Sequence, residues 1–284
     1  MDKGINNNGF EYVNLGLPSG TLWATMNVGA SKASDAGLYF QWGDISGYTA
    51  DQVGTGDGQK KFASDYSDYK WNASEGFSKY NTTGAALELE DDAAHVNMGG
   101  SWHMPTPDQF QELIDNTTNT WTTQDGVNGR LFTSKSDHSK SIFFPAAGDA
   151  WGGSGQVSGG YGVVWSSMLD ADSVYGGQIL YFDSGDVNLV GSYRYDGLSV
   201  RGVIDNKCNC SKDKKNDDNS KGKKNESNEK STFAEMLENE LKKNLKLKIT
   251  SDYGGYVEVN LLYKGEVIDS DVCQVTTDFN PLDE

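Results

Sequence analysis

The chain has 284 residues, of which 34 are glycine, 5 are proline and 11% are aromatic. This composition excludes collagen, a coiled coil and a wholly disordered chain, and it is typical of a loop-rich globular protein. The net charge of −17 disfavours a protein that grips nucleic-acid phosphates, and no apolar run is long enough to span a membrane. We therefore expect neither a nucleic-acid partner nor membrane insertion.

Residues 1–204 are predicted to form one domain of short strands and two helices. The strand-like segments are TLWATMNVG, GLYFQWGD, RLFTS, SIFFPAAG, YGVVWSS, QILYFDSGD and GLSVRGV. The first predicted helix covers 85–96 (AALELEDDAAHV). The second begins with Thr106 as N-cap and Pro107 as first helical residue, because both types are favoured at these positions. Its buried stripe is predicted to contain Phe110, Leu113 and Ile114.

Charge divides the chain into three parts. Residues 1–204 carry 11 basic and 24 acidic side chains, whereas residues 205–230 carry 8 basic and 6 acidic ones and no large apolar residue. The middle part cannot bury enough apolar surface to fold, so it is predicted to be a charged polar linker. A nucleic-acid patch is the alternative, but interleaved acids and missing aromatics disfavour it. Cys208 and Cys210 lack the nearby histidines of a zinc signature.

Residues 231–284 are predicted to form a small α+β domain of one helix and three strands. Thr232 and Glu235 fit a capping box that opens the helix, and the predicted strands cover 246–250, 256–263 and 266–275. Such a domain has little core of its own. We therefore expect it to dock onto other proteins or to form a homo-oligomer. Cys273 is interpreted as a small core residue.

An ordered series of motifs in residues 10–204 resembles one known family, the Fibrobacter succinogenes major paralogous domain of gut bacteria and their phages. The motifs are YVNLGLPSGTLWATMNVGA (12–30), GLYFQWGD (37–44), LELEDDAAHVNMGGSWHMPTPDQFQELID (87–115), NGRLFTS (128–134), SIFFPAAG (141–148), VVWSSMLD (163–170), LYFDSGDV (180–187) and YDGLSVRGV (195–203). The resemblance implies an α+β, C-type-lectin-like fold, and it does not extend to the linker or the tail.

The same resemblance implies a ligand-binding stretch at 161–203. In related variable proteins of diversity-generating retroelements, the last part of the domain displays variable residues on a fixed scaffold. There, adenine mutation of an Asn codon can produce residues such as Tyr, Asp and Ser but not Trp, Met or Gln, so the resemblance implies that Trp165, Met168 and Gln178 are scaffold. The residues that can be displayed are Tyr161, Asp172, Tyr175, Asp183, Asn188, Tyr193 and Tyr195.

The aromatic candidates have two interpretations. Tyrosine suits a recognition surface because it supplies rigid contact area with a polar tip, but the same rings can pack into the scaffold. Trp151, which is set among glycines, can likewise stack on a sugar or anchor its loop. As a cluster, the tyrosines favour a binding surface.

Calcium binding and catalysis are alternatives to simple ligand binding. Asp170, Asp172, Asp183 and Asp186 offer carboxylates, but the sugar-binding motifs EPN and WND are missing, so no cofactor is predicted and calcium stays open. Residues 1–204 contain no cysteine, and no catalytic motif such as GxSxG or HExxH occurs, so an enzyme is not expected.

The resulting hypothesis is a non-enzymatic virion protein, such as a phage fibre, tail or capsid-decoration protein. Residues 161–195 would bind a host-surface glycan or protein, and residues 231–284 would bind other virion proteins. The alternative is a bacterial surface or secreted glycan-binding protein. The first twenty residues lack the apolar segment of a secretory signal, which favours the virion hypothesis.

Overall fold

The computed structural model describes residues 3–6, 8–54, 58–60, 62–74, 76–152, 154–156, 159–205, 245–253, 256–263 and 266–274. The chain divides into two compact units, Met1–Asp205 and Asn206–Glu284. The predicted linker beyond Asp205 and the predicted helix after Thr232 lie outside the described residues.

The first unit consists mainly of strands. Its described α-helices are α1 (Ala93–Met98) and α2 (Pro107–Asn116), and 3-10 turns cover Ala50–Gln52, Tyr66–Asp68 and Leu89–Asp91. Its described strands are β1 (Lys3–Ile5), β2 (Glu11–Asn14), β3 (Leu22–Asn27), β4 (Leu38–Phe40), β5 (Tyr48–Thr49), β6 (Asn72–Ala73), β7 (Gly76–Phe77), β8 (Thr117–Gln124), β9 (Val127–Ser134), β10 (Ser141–Pro145), β11 (Asp149–Trp151), β12 (Ser154–Gln156), β13 (Tyr161–Leu169), β14 (Gly176–Asp183), β15 (Val187–Tyr193), β16 (Leu198–Ser199) and β17 (Arg201–Ile204).

A six-stranded sheet lies at the centre of this unit, in the order β15-β14-β13-β16-β4-β5. Successive residues of β13 point to opposite faces, so Val163 and Trp165 pack into one hydrophobic cluster and Val164 into another. On β14, Leu180 and Phe182 join Val164 in the second cluster and are fully buried. The sheet therefore separates two cores, which explains its long apolar runs.

Smaller sheets surround the central one. They have the orders β1-β2-β3-β17 and β10-β9-β8, together with the two-stranded pairs β11-β12 and β6-β7. The β11 strand is attached to the segment before β16, because Ala150 and Gly197 exchange two backbone hydrogen bonds of 2.8 Å each. This contact places the end of β11 beside the residues that precede β16 in the central sheet.

A buried arginine connects three of these strands. The Arg201 guanidinium donates to Asn27 Oδ1 (2.9 Å), to the Ala24 carbonyl (3.0 Å) and to the Phe143 carbonyl (3.1 Å). It lies 4.2 Å from the centre of the Phe144 ring, and burial lowers the pKa of Arg201 to about 9. Its hydrogen bonds replace the hydration that burial removes.

Helix α2 confirms the prediction made from its capping residues. The Thr106 hydroxyl accepts a hydrogen bond from the backbone N–H of Gln109, and Pro107 occupies the first helical position. Phe110 and Leu113 are fully buried, as the stripe predicted. Ile114 is partly buried against the same cluster.

The prediction of one helix over 85–96 is wrong. Residues Leu89–Asp91 form a 3-10 turn, and helix α1 begins only at Ala93 because the Asp92 side chain caps the backbone N–H of His95. The Asp92 carboxylate also accepts from the backbone N–H of Met104 at 2.8 Å, so a long-range contact fixes this start. The helix ends at Met98 because Gly99 has a φ of +71°.

The fold class predicted for residues 1–204, an α+β C-type-lectin-like domain, is also wrong. Strands in several separate sheets dominate the described residues, with two α-helices of 6 and 10 residues. In the segment predicted as the first helix, hydrogen bonds from Lys79 and Tyr80 to Asp91 and from Met104 to Asp92 hold residues 89–91 in a turn, which leaves α1 only six residues long. The first unit is therefore a mainly β structure.

The second unit is described over three strands, β18 (Leu245–Tyr253), β19 (Tyr256–Tyr263) and β20 (Glu266–Gln274). They form an antiparallel sheet in sequence order, in which Leu245 pairs with Tyr263 and Tyr256 with Gln274. The three strands confirm the predicted segments, although the first is longer than predicted. The α+β assignment of this unit is replaced by a β-sheet over its described part.

Across the described part of both units, no helix combines the length and the apolar composition that crossing a membrane would require.

Candidate functional site

Three exposed aromatic side chains of the first unit lie around one pair of tyrosines. The exposed fractions are 49% for Trp151, 53% for Tyr175 and 56% for Tyr193, and no other described aromatic side chain is comparably exposed. Tyr66 and Tyr195 lie between them, with ring centroids 4.8 Å apart. We call these five residues the aromatic surface.

Direct contacts join each exposed ring to the central pair. Tyr193 stacks on Tyr195 at 5.1 Å with 11° between the ring planes, and Tyr175 lies 5.9 Å from Tyr66. The Trp151 indole N–H donates to the Tyr195 hydroxyl. Burial raises the pKa of Tyr66, whose hydroxyl donates to the Tyr175 carbonyl. The five residues form one connected group.

Strand pairing explains why residues distant in sequence meet here. Tyr175 precedes β14 and Tyr193 ends β15, and the register pairs Gly176 with Tyr193. Because Ala150 pairs with Gly197, Trp151 at the end of β11 lies opposite Asp196. Tyr66 belongs to a 3-10 turn that Asp65 caps by accepting from the backbone N–H of Ser67 at 2.9 Å.

A buried aromatic layer supports the exposed rings. Phe77 is 4.9 Å from Tyr66 and 5.5 Å from Tyr175 between ring centroids. The fully buried Arg194 lies 4.1 Å from the Phe77 ring centre and donates to the Lys79 and Tyr80 carbonyls. Burial lowers the pKa of Arg194. Close packing of this layer holds the exposed rings in fixed positions.

An open pocket of about 400 Å³ separates Tyr175 from Tyr193. Its lining consists of Asp170, Ser173, Tyr175, Gly176, Gly191, Ser192 and Tyr193. The pocket therefore combines two aromatic walls with hydroxyl and carboxylate oxygens, which are groups that can bind a polar ligand of modest size.

A buried carboxyl group lies behind the surface. Asp196 is 5% exposed, and its Oδ2 accepts from the Ser192 hydroxyl at 2.6 Å, while Oδ1 has no hydrogen-bond partner among the described residues. Desolvation raises the pKa of Asp196 to about 6, and the charge of Asp149 acts in the same direction. Asp196 therefore carries a proton in acidic solution.

The other residues predicted as binding residues have different surroundings. Tyr161 is half-buried, donates to Asp149 Oδ1 at 2.8 Å and stacks on Tyr181 at 6.1 Å. Asp183 Oδ1 accepts from the backbone N–H groups of Gly185 (2.7 Å) and Asp186 (2.9 Å). Hydrogen bonds from the Asp186 and Gly185 backbones and from the Tyr181 hydroxyl lower the pKa of Asp183. Asp183 thus holds the turn between β14 and β15.

The structure brings together only part of the predicted set. Trp151, Tyr175, Tyr193 and Tyr195 meet in the aromatic surface, although Tyr195 is only 6% exposed and is not displayed. The exposed Asp172 lies near them, since its backbone N–H donates to Asp170 at 2.8 Å. The remaining three residues, Tyr161, Asp183 and Asn188, lie at the far end of β14, and an eight-residue strand spans roughly 23 Å.

The four carboxylates considered for calcium do not converge. Asp170 and Asp172 lie before β14, whereas Asp183 and Asp186 lie at its other end. A different acidic group, formed by Glu88, Glu90 and Asp91, does converge. The Lys79 Nζ atom is ion-paired with a carboxylate oxygen of each member, at 2.6, 3.1 and 2.5 Å. The positive charge of Lys79 therefore already neutralises part of the negative charge of this group.

The sequence did not point to Tyr66, Phe77 or Gly191 as parts of the site. Tyr66 and Phe77 lie about a hundred positions from Tyr175, in a segment without a motif, and only the tertiary fold brings them close. Gly191 carried a usable signal, because a glycine inside a strand often marks a close approach by another group.

Comparison of the chain with protein-family models, with curated proteins and with solved structures gives no match. The described residues define a mainly β protein with an aromatic surface beside a polar pocket. Function is therefore inferred from this surface and from the motif resemblance.

Proposed function

We propose that the first unit is a non-enzymatic recognition module that binds a host-surface glycan through the aromatic surface. The observation that carries this proposal is the grouping of three aromatic side chains, Trp151, Tyr175 and Tyr193, on one rigid support next to a polar pocket; among the residues whose burial the structure describes, no aromatic side chain is more exposed than these three.

Physical chemistry favours a ligand at such a place. Binding that removes large exposed aromatic rings from water gains free energy, and clusters of exposed rings mark interaction sites. A flat ring contacts the C–H face of a sugar, while tyrosine hydroxyls and nearby carboxylates bind its hydroxyl groups. Because the buried layer already fixes the rings, binding orders few side chains.

A binding role is better supported than catalysis. Asp170 is the one carboxyl group among the residues that line the pocket, while Asp196 is buried and accepts a hydrogen bond from Ser192. The pocket lining therefore holds no pair of carboxyl groups that could act as general acid and general base. The rings of Trp151, Tyr175 and Tyr193, in contrast, face solvent and can contact a ligand.

The motif resemblance supplies the biological setting of the proposal. Domains of the resembled family occur in gut bacteria and their phages, which supports a virion protein that acts outside the cell. The second unit would then attach the module to other virion proteins or to further copies of itself, as its small three-stranded sheet suggests.

Binding of the full-length chain to printed glycans and to gut bacterial cells tests the proposal. The double variant Tyr175→Ala/Tyr193→Ala is expected to lose at least tenfold in affinity. The matched control Leu89→Ala/Val96→Ala removes apolar side chains of similar exposure, 56% and 45%, outside the aromatic surface and is expected to bind normally. Unchanged binding by the tyrosine variant would refute the proposed site.

Whether the protein is located on phage particles or on the bacterial envelope needs a separate measurement. Antibody labelling under the electron microscope is expected to decorate phage particles. Labelling of the bacterial envelope instead would support the alternative, a bacterial surface protein.

A further inference from the structure

We infer that the pocket between Tyr175 and Tyr193 is a subsite for a single sugar ring without anionic groups, and that Asp170 selects against carboxylated and sulfated sugars. This inference rests on the proposed glycan-binding function and adds the class of sugar.

The shape of the pocket suits one ring. Its two aromatic walls are attached at neighbouring points, because Tyr193 pairs with Gly176 and Tyr175 precedes that glycine. The volume of about 400 Å³ lies at the small end of the range for ligand pockets, roughly 300–1,000 Å³. A sugar ring can enter between the tyrosines, while the rest of a glycan extends over the aromatic surface.

Asp170 is held in a fixed position in this pocket. Its Oδ1 accepts from the backbone N–H of Asp172 at 2.8 Å, and its Oδ2 accepts from the Gln178 amide at 3.2 Å. Its backbone N–H donates to Gly176 at 2.9 Å, and its carbonyl accepts from Gly84 at 3.0 Å. Since each carboxylate oxygen can accept two hydrogen bonds, both oxygens keep capacity for a ligand hydroxyl.

Gly191 makes room for the Asp170 carboxylate. This glycine lies inside strand β15, where glycine weakens a strand and needs a compensating reason. A Cβ atom at this position would lie 2.5 Å from Asp170 Oδ2, so any larger residue would collide with the carboxylate. The missing side chain makes room for the Asp170 carboxylate against strand β15, and both residues line the pocket.

The charge of the lining defines the class of sugar. Asp170 is the charged residue among the seven lining residues, and none of them is basic. A carboxylate or sulfate on the ligand would face the Asp170 charge without a cation in the lining to pair with, and like charges placed together oppose binding. Hydroxyl groups, or the ammonium group of an amino sugar, can instead donate to Asp170.

The experiment is a glycan array probed with the full-length chain. The array holds neutral, amino-sugar, uronate-containing, sialylated and sulfated oligosaccharides. The wild-type chain is expected to bind neutral or amino sugars at least tenfold better than their carboxylated or sulfated counterparts.

Two variants test the role of the pocket. Asp170→Asn keeps an oxygen acceptor but removes the charge, so the tenfold preference against anionic sugars is expected to fall at least threefold. Gly191→Ala would displace the Asp170 carboxylate from its position and is expected to lower binding of every sugar. Asp115→Asn, the same change on the exposed surface of α2, is the control and is expected to leave the profile unchanged. Melting temperatures measured by circular dichroism show whether each variant is folded.

The possible outcomes distinguish a failure of this inference from a failure of the proposed glycan-binding function. Preferred binding of uronate, sialylated or sulfated glycans would overturn the inference and leave the glycan-binding function standing. An unchanged preference in folded Asp170→Asn would also overturn it. Binding to no printed glycan, or binding unaffected by Tyr175→Ala/Tyr193→Ala, would overturn the proposed function, and the inference with it.

Discussion

Tyr193 and Tyr195 stack with centroids 5.1 Å apart and planes inclined by 11°, yet Tyr193 is 56% exposed and Tyr195 only 6%. Two tyrosines separated by one residue therefore have different roles. Tyr193 offers a free ring face to a ligand, whereas Tyr195 supports that ring from below. Replacing both together would mix a loss of binding with a loss of core packing.

Single substitutions should separate these roles. Tyr195→Ala is expected to lower the free energy of unfolding by about 3 kcal/mol or more, because it removes a buried aromatic ring. Tyr193→Ala is expected to cost less than about 1 kcal/mol while weakening ligand binding. Urea unfolding followed by tryptophan fluorescence measures both values, with Tyr195→Phe as a control that keeps the ring. Equal destabilisation by the two alanine variants would show that Tyr193 is also a core residue.

Asp196 should make stability depend on pH. Folding raises its pKa from 3.8 to about 6 through desolvation, so the folded state favours the protonated form. Its contribution is therefore most favourable below pH 4 and is lost as the pH rises through about 6.

The variant Asp196→Asn, which is neutral at every pH, is expected to exceed the wild-type stability at pH 7 by about 1–3 kcal/mol. The difference should shrink as the pH falls toward 4. Comparison of denaturant unfolding at several pH values measures this directly, and a difference independent of pH would contradict the titration of Asp196.

Lysine should not be able to replace Arg201 without a loss of stability. Arg201→Lys keeps the positive charge, but a single ammonium group cannot reach the Asn27, Ala24 and Phe143 oxygens from one point. The expected loss of stability is about 2–4 kcal/mol, because a buried acceptor is left unpaired next to a buried charge. Arg130→Lys is the comparison, since the hydrogen bonds of Arg130 are longer, at 3.2–3.4 Å, and its loss should be smaller. A larger loss for Arg130→Lys in thermal unfolding would argue against this account.

Two glycines of the central hairpins should differ sharply in their tolerance of alanine. A Cβ atom on Gly162 would lie 2.1 Å from Cζ of the buried Phe182, whereas one on Gly185 would lie 3.5 Å from Asp183 Oδ1. Gly162→Ala is expected to destabilise the protein by about 1–3 kcal/mol through overpacking, and Gly185→Ala by less than about 0.5 kcal/mol. Differential scanning calorimetry of the two variants tests this, and similar melting temperatures would show that Phe182 can move aside.

Local chemistry allowed several elements to be predicted. Thr106 and Pro107 determine where α2 begins, because a cap and a proline act on the backbone beside them. Strand segments such as YGVVWSS and QILYFDSGD were found through their apolar content, and Leu180 and Phe182 are buried as their alternation indicates. Trp151, Tyr175 and Tyr193 are exposed, which is what an aromatic residue among glycine, serine and aspartate indicates.

Other features depend on partners far away along the chain. The shortened helix α1 follows from a bond between Asp92 and Met104, and no propensity of residues 85–96 predicts it. The burial of Tyr195 follows from its contacts with Tyr193 and Tyr66, while the sequence pattern around Tyr193 and Tyr195 is nearly the same for both.

By itself the sequence determined the caps, the strand segments, the acidic charge and the residue types suited to recognition, because each depends on neighbours within a few positions. The mainly β fold, the choice of Tyr193 over Tyr195 as the exposed ring, and the meeting of Tyr66 with Tyr175 were decided only by tertiary structure. The physical reason is that burial and ring contact depend on which residues are neighbours in three dimensions. Strands β11, β14 and β15 bring distant residues together, and the packing among them decides which side chain faces water.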